Sequence, residues 1–240
     1  MALNPNMSNK DVANLVFLNY KTHKKFLDLD YANVTTTNLE ATRDSATGGS
    51  GAPERVVFDS NRKGTLKIDT QISTMKLFSM LSGADILSTF DHIKKYELTA
   101  SENKLTIPAG DTIVENSIQV FVDGDEEKEV AFTVNDHEIT LTGTEKTGDF
   151  VVYALVNVKG QSVKFNAKTF PKAFVIYGST DWKTEDDEIA EMYLTYYKAV
   201  PQSTFELAFS NTSIISMSIT CDLLADKNDN IYDMSIADED

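Results

Sequence analysis

The sequence predicts a mainly β protein: an antiparallel β-sandwich or barrel with one short packing helix, plus an inserted immunoglobulin-like β module. Three observations carry this. In the last third, apolar and polar residues alternate with the period of strands that bury one face. Phe205, Leu207 and Phe209 alternate with Thr204, Glu206 and Ala208, and then Ile215, Met217, Ile219 and Cys221 with Ser216, Ser218 and Thr220. The middle third repeats short strand-like runs between turn dipeptides. Only Met75 to Ser82 shows the spacing of a packed helix.

Taken in order, Met1 to Asn14 reads as a flexible arm without periodicity. Leu15 to Leu18 and Phe26 to Tyr31 read as strands joined by the basic turn Lys21-Thr22-His23-Lys24-Lys25. Ala32 to Glu54 is a long polar segment ending in Gly48-Gly49-Ser50-Gly51-Ala52-Pro53, expected to be a loop too long for an ordinary connection. Arg55 to Phe58 and Thr65 to Ile72 follow as strands, the second with Leu66, Ile68, Thr70 and Ile72 on one face and Thr65, Lys67, Asp69 and Gln71 on the other. Ser73-Thr74 can cap the helix, Met75, Phe78 and Leu81, with Leu77, line its buried side, and Gly83 stops it.

Between Glu97 and Lys159, strands are expected at Lys104 to Ile107, Ile118 to Val122, Val130 to Val134, Ile139 to Thr142 and Phe150 to Val158. They suggest an inserted module over residues 97–159, flanked by the two parts of a core at 1–96 and 160–240. Strands at Ser162 to Asn166, Ala173 to Ser179 and Met192 to Lys198 then lead to the alternating runs. An acidic loop, Asp181 to Glu188, holds the single tryptophan, and Pro201 marks a strand boundary because it cannot donate to a central ladder.

Composition removes several function classes. One cysteine rules out an internal disulfide framework, and a formal net charge of −15 opposes ordinary nucleic-acid binding, which needs clustered Lys and Arg. No apolar run is long enough to span a bilayer and no secretory leader is visible, so a soluble protein made in a cytoplasm is expected. His23, His92 and His137 are far apart without acids at ligand spacing, and neither phosphate-binding glycine motif occurs. No catalytic, cofactor-binding or metal residue is therefore assigned, and an enzyme is not expected. Asp226-Lys227-Asn228-Asp229-Asn230 begins like a calcium loop but lacks its glycine and closing glutamate, so it reads as an Asx-type turn.

The strand ending Lys198-Ala199-Val200-Pro201, the strand Ser203 to Ser210 and the run Ser213 to Asp226 closing into an acidic tail resemble, in order and punctuation, the C-terminal half of bacteriophage major tail tube proteins. The resemblance covers Phe170 to Asp233 and, less fully, Gly64 to Gly83. It implies a tail-tube-like fold and a structural virion protein of the phage tail, assembled in the bacterial cytoplasm. Such a subunit would form hexameric rings that stack into a channel for DNA passage without specific DNA binding. It would contact other tail proteins (sheath or terminator, baseplate) and no membrane.

On this reading the 32–54 loop, with Thr35, Asn38, Glu40, Arg43, Gly48 and Gly49, is the candidate assembly element. Lys67, Asp69, Gln71, Ser216, Ser218 and Thr220 are the candidate lumen face. Minimal tube proteins lack a module at 97–159. A capsid decoration or baseplate-hub protein, or a carbohydrate-binding or adhesin module, are the competing readings.

Overall fold

The computed structural model describes residues 6–236 apart from Glu115, together with every described side chain except that of Glu126. The expected arm residues 1–5 and the acidic residues 237–240 lie outside the described residues. The chain divides into two compact units: Ile86–Ser162, and the chain on either side of it.

The outer unit is built from β1 (Met7–Asn9), β2 (Asn14–Asn19), β3 (Lys25–Leu29), β4 (Ala32–Thr47), β5 (Glu54–Thr70) and α1 (Met75–Ser82). The inner unit takes β6 (Leu87–Ala100), β7 (Lys104–Thr106), β8 (Thr112–Ile113), β9 (Gln119–Val122), β10 (Asp125–Glu129), β11 (Phe132–Asn135), β12 (Glu138–Leu141) and β13 (Gly148–Ser162). The outer unit resumes with β14 (Phe174–Thr184), β15 (Ile189–Pro201), β16 (Met217–Leu223) and β17 (Tyr232–Ile236).

In the outer unit all pairings are antiparallel, in the order β3-β2-β14-β15-β16-β5-β4. β1 prolongs β2 along β14, and β17 prolongs β16 along β15. β3 and β4 stand at opposite ends of this order, yet only Asp30 and Tyr31 separate them in sequence. Three peptide steps span at most about 11 Å, so the sheet must curl until its two ends nearly meet. What fills the curl is one cluster: Leu15 and Phe17, Leu27 and Leu29, Leu66 and Ile68, Phe174 and Ile176, Tyr196, and Met217, Ile219 and Cys221.

The helix closes the same core with Leu77, Met80 and Leu81. Its start is fixed by Thr74, whose side chain accepts from the Leu77 N–H at 3.2 Å. Its end is Gly83, at φ 71°, whose N–H donates to the Ser79 carbonyl at 2.9 Å. The helical spacing of Met75 to Ser82 thus identified the one helix, with both of its caps.

The inner unit is a small two-sheet structure. β10-β9-β13-β6, with β8 on β13, faces β11-β12-β7 across a core of Leu105, Ile107, Val120, Ile139, Leu141, Phe150, Val152 and Ala154.

Several sequence expectations need correction, and the reasons share a cause. Ala32 to Glu54 is no loop: β4 and β5 pair from Ala32↔Thr70 to Thr47↔Glu54, leaving only a short tip. Arg55 to Phe58 and Thr65 to Ile72 belong largely to the single strand β5. β6 carries one buried side chain, Tyr96, and so gave no periodic signal. Period two reports burial of one face, and a ribbon or edge exposed on both sides does not produce it.

The converse error is Thr204 to Phe209, which alternates but forms no strand; Phe209 is 89% exposed. The acidic loop shrinks to the turn Glu185 to Glu188, since Asp181 to Thr184 continue β14. Residues 163–166 form no strand, Pro201 ends β15 opposite Cys221, and Met7–Asn9 of the expected arm pairs with β14.

Candidate assembly surface

The strand β5 outlasts its neighbour. It pairs with β16 only from Gly64 to Thr70, so residues 54–63 have β4 as their sole partner and run on as a two-stranded arm about 30 Å long. A double irregularity marks its root: Glu40 pairs with Lys63 and Thr42 with Ser60, with Asn61 at φ 50°. Such a bulge bends a ribbon and increases its twist.

Beyond the root the arm is held by cross-strand polar pairs. Arg43 grips Asp59 bidentately (Nε–Oδ1 2.8 Å, Nη2–Oδ2 3.1 Å), which draws the Asp59 carboxyl below its ordinary value, and Ser45 donates to Glu54 at 2.9 Å. The tip closes with Gly48 N–H on the Pro53 carbonyl and Arg55 on the Gly48 carbonyl. Val56 and Phe58 share one face with Ala46 and Asp44, and Phe58 is 61% exposed. Val56 and Phe58 thus stand uncovered among the described residues.

Of the residues expected in an assembly loop, Thr35, Asn38, Glu40 and Arg43 therefore lie on β4, and Gly48 and Gly49 at the tip. The structure spreads them along the hairpin from root to tip.

The six polar residues expected on one face fare differently. Lys67 lies opposite Thr220 and Asp69 opposite Ser218, all on the side of β5 and β16 away from buried Leu66, Ile68, Met217 and Ile219. Lys67 and Asp69 form an ion pair at 3.3 Å. Gln71 and Ser216 flank the strands; the Gln71 N–H donates to Asn33.

At the other face of the same sheet Tyr196 is buried, stacks on Tyr232 at 5.9 Å and hydrogen-bonds Thr37 at 2.6 Å, tying the root of the arm to the core. The sequence gives no hint of this contact, since Tyr196 and Thr37 are joined only by the sheet order.

Charged groups elsewhere are used structurally. The Asp226 carboxylate accepts the Asn228 and Asn230 N–H groups at 2.8 Å, an Asx-type turn, and these bonds, that from Asn230 first, lower its pKa. In the inner unit a cleft of about 920 Å³ is lined by Ile113, Ile118, Phe132, Asp111 and His137. Asp111 is held ionised by Lys94 at 2.7 Å and Tyr96 at 2.8 Å, while His137 donates to the Asp111 carbonyl at 2.7 Å and meets Asp136 at 3.0 Å. Burial, then the bond to Asp111, pushes the Tyr96 hydroxyl up. Among the described residues no group of three His, Cys, Asp or Glu is placed to hold a metal, and no helix is long and apolar enough to cross a membrane.

Open edges, a projecting arm and a polar sheet face are thus set on one antiparallel β scaffold. The family model described as the YomU/Tube protein family matches residues 9–236, and the chain belongs to that family. This makes it a phage tube protein, as the resemblance in its C-terminal strands implied. No curated protein matches the chain.

Proposed function

We propose that this chain is the tail tube subunit of a bacteriophage, closing into hexameric rings that stack into the channel through which DNA leaves the virion. The observation that carries the reading is the family match over residues 9–236, on a chain whose sheet leaves edge strands open and one face polar. Closing a ring edge to edge removes open strands that would otherwise be an aggregation hazard. The polar side with Lys67, Asp69, Ser218 and Thr220 suits a wetted channel wall. A net charge of −15 suits a conduit that phosphates must pass without sticking. The arm β4–β5 is the element suited to reach the adjacent ring, and the inner unit to sit as an added module. Sheath or terminator and baseplate proteins would meet the ends of such a tube.

Negative-stain electron microscopy of the purified chain at rising concentration tests this. Long hollow tubes of regular repeat are the expected result. Discrete closed oligomers would replace it with a decoration or hub role.

A further inference from the structure

One stretch of the outer unit has the sequence of a strand and the structure of an irregular loop. Between Pro201 and Met217 residues 202–216 form no strand, and after the Gln202 N–H bond to the Thr220 carbonyl at 2.8 Å the chain leaves the ladder, although β15 and β16 are adjacent antiparallel strands that a few residues could join. Inside it Thr204-Phe205-Glu206-Leu207-Ala208-Phe209 keeps strict alternation. Phe205 packs on Phe165 at 5.2 Å, while Leu207 and Phe209 stand exposed. This segment has a strand's pattern and, among the described residues, no strand paired with it.

The same unit carries an edge without a strand. β4 has a single partner, β5, and among the described residues its outward N–H and C=O groups have no backbone partner. Natural edges are usually defended by charges or proline. β3 has Lys25 and Asp28, and β6 has Asp91, Lys94, Lys95 and Glu97. The root half of β4, Ala32–Leu39, has no charged residue and no proline, and Val34, Thr35, Thr36 and Thr37 are β-branched. Ala13 reaches this edge with one bond, its N–H donating to the Thr35 hydroxyl at 3.3 Å, and the rest is strand-prone without charge or proline.

We infer that Thr204–Phe209 of one copy adds as a strand to the outer edge of β4, along Ala32–Leu39, of a second copy. The inference rests on the tube reading. Each subunit then offers one donor segment and one acceptor edge. That is a heterologous contact, which closes into a ring or propagates as a filament. Leu207 and Phe209 would be covered in the pairing, and the main-chain bonds would carry most of the recognition.

Hydrogen exchange on the full chain, as monomer and as assembly, tests it. In the monomer amides 204–209 should exchange freely. In the assembly they should slow, together with outward-pointing amides of 32–39. A proline at the donor, Ala208→Pro, removes an N–H from the new ladder in an exposed loop, so tryptophan fluorescence melts should match wild type. The concentration needed for assembly should rise about tenfold or more, whereas Ser213→Pro, outside the segment, should leave it unchanged. Tubes whose 204–209 amides exchange freely would overturn the inference and leave the tube reading standing. Protection already present in the monomer would overturn it in favour of pairing within one subunit. A wild-type chain that stays monomeric at every concentration would remove the second copy and the inference with it.

Discussion

Gly83→Ala offers a sharp test of how the helix is anchored. At φ 71° a Cβ at position 83 would stand 2.0 Å from the Phe170 carbonyl oxygen and 2.5 Å from its carbon. Two costs combine. An alanine in the left-handed region loses about 1 kcal/mol relative to glycine. The clash is with backbone, so the helix end or the 170–171 segment must move by more than about 1 Å, loosening Met80 and Leu81, each worth about 1.5–3 kcal/mol when fully buried. The total should reach about 3 kcal/mol or more, or roughly 6–12 °C in Tm for a protein of this size.

Gly51→Ala is the control. Its φ is 83°, but nothing lies within 4 Å of the added carbon, so only the conformational cost of about 1 kcal/mol applies. The single tryptophan, Trp182, lies on β14, so its fluorescence reports the outer unit without labels. Equal losses in the two variants would refute the argument that the Phe170 contact fixes the helix.

Other expectations follow from contacts already described. Tyr196→Phe and Thr37→Val should each cost about 1–2 kcal/mol in urea unfolding, with a coupling of about 1 kcal/mol in the double variant; strict additivity would deny the bond between them. Burial pushes the Cys221 thiol up to about 12, so a thiol reagent near neutral pH should label it only on unfolding, and prompt labelling of the native protein would contradict its burial. The bond to the Asp111 carbonyl, then Asp136, raises the His137 pKa, so its charged form stabilises the folded inner unit. That contribution is complete below the ordinary imidazole value of about 6.5 and is lost as pH rises through the raised folded value. Circular dichroism melts across that range should show wild type losing stability relative to His137→Gln, and parallel curves would dismiss the effect.

How much was legible depended on what each residue faces. Leu66, Ile68, Met217, Ile219 and Cys221 alternate because one face of β5 and β16 is buried, and they placed the core sheet correctly. Thr74 and Gly83 bracketed the helix because capping is local chemistry. Residues 42–47, with neither face buried, could only be read as loop. Thr204 to Phe209 misled in the opposite sense, since it alternates without pairing to a strand among the described residues. The polar face of Lys67 and Asp69 followed from strand period, while its alignment with Thr220 and Ser218 needed the register of β16 on β5. The arm needed the knowledge that β16 stops at Leu223 while β5 continues.

The placement of the inner unit has a temporal side. Its strands are contiguous in sequence, so it can fold as soon as residue 162 leaves the ribosome. The outer sheet cannot. β2 must wait for β14, and β5 for β16, across the whole of the inner unit, so the ladders that join the N-terminal strands to the C-terminal ones close late. At the usual pace of synthesis that delay lasts several seconds. During it β4 and β5 have each other as partners and lack the β16 strand that will carry their root into the sheet.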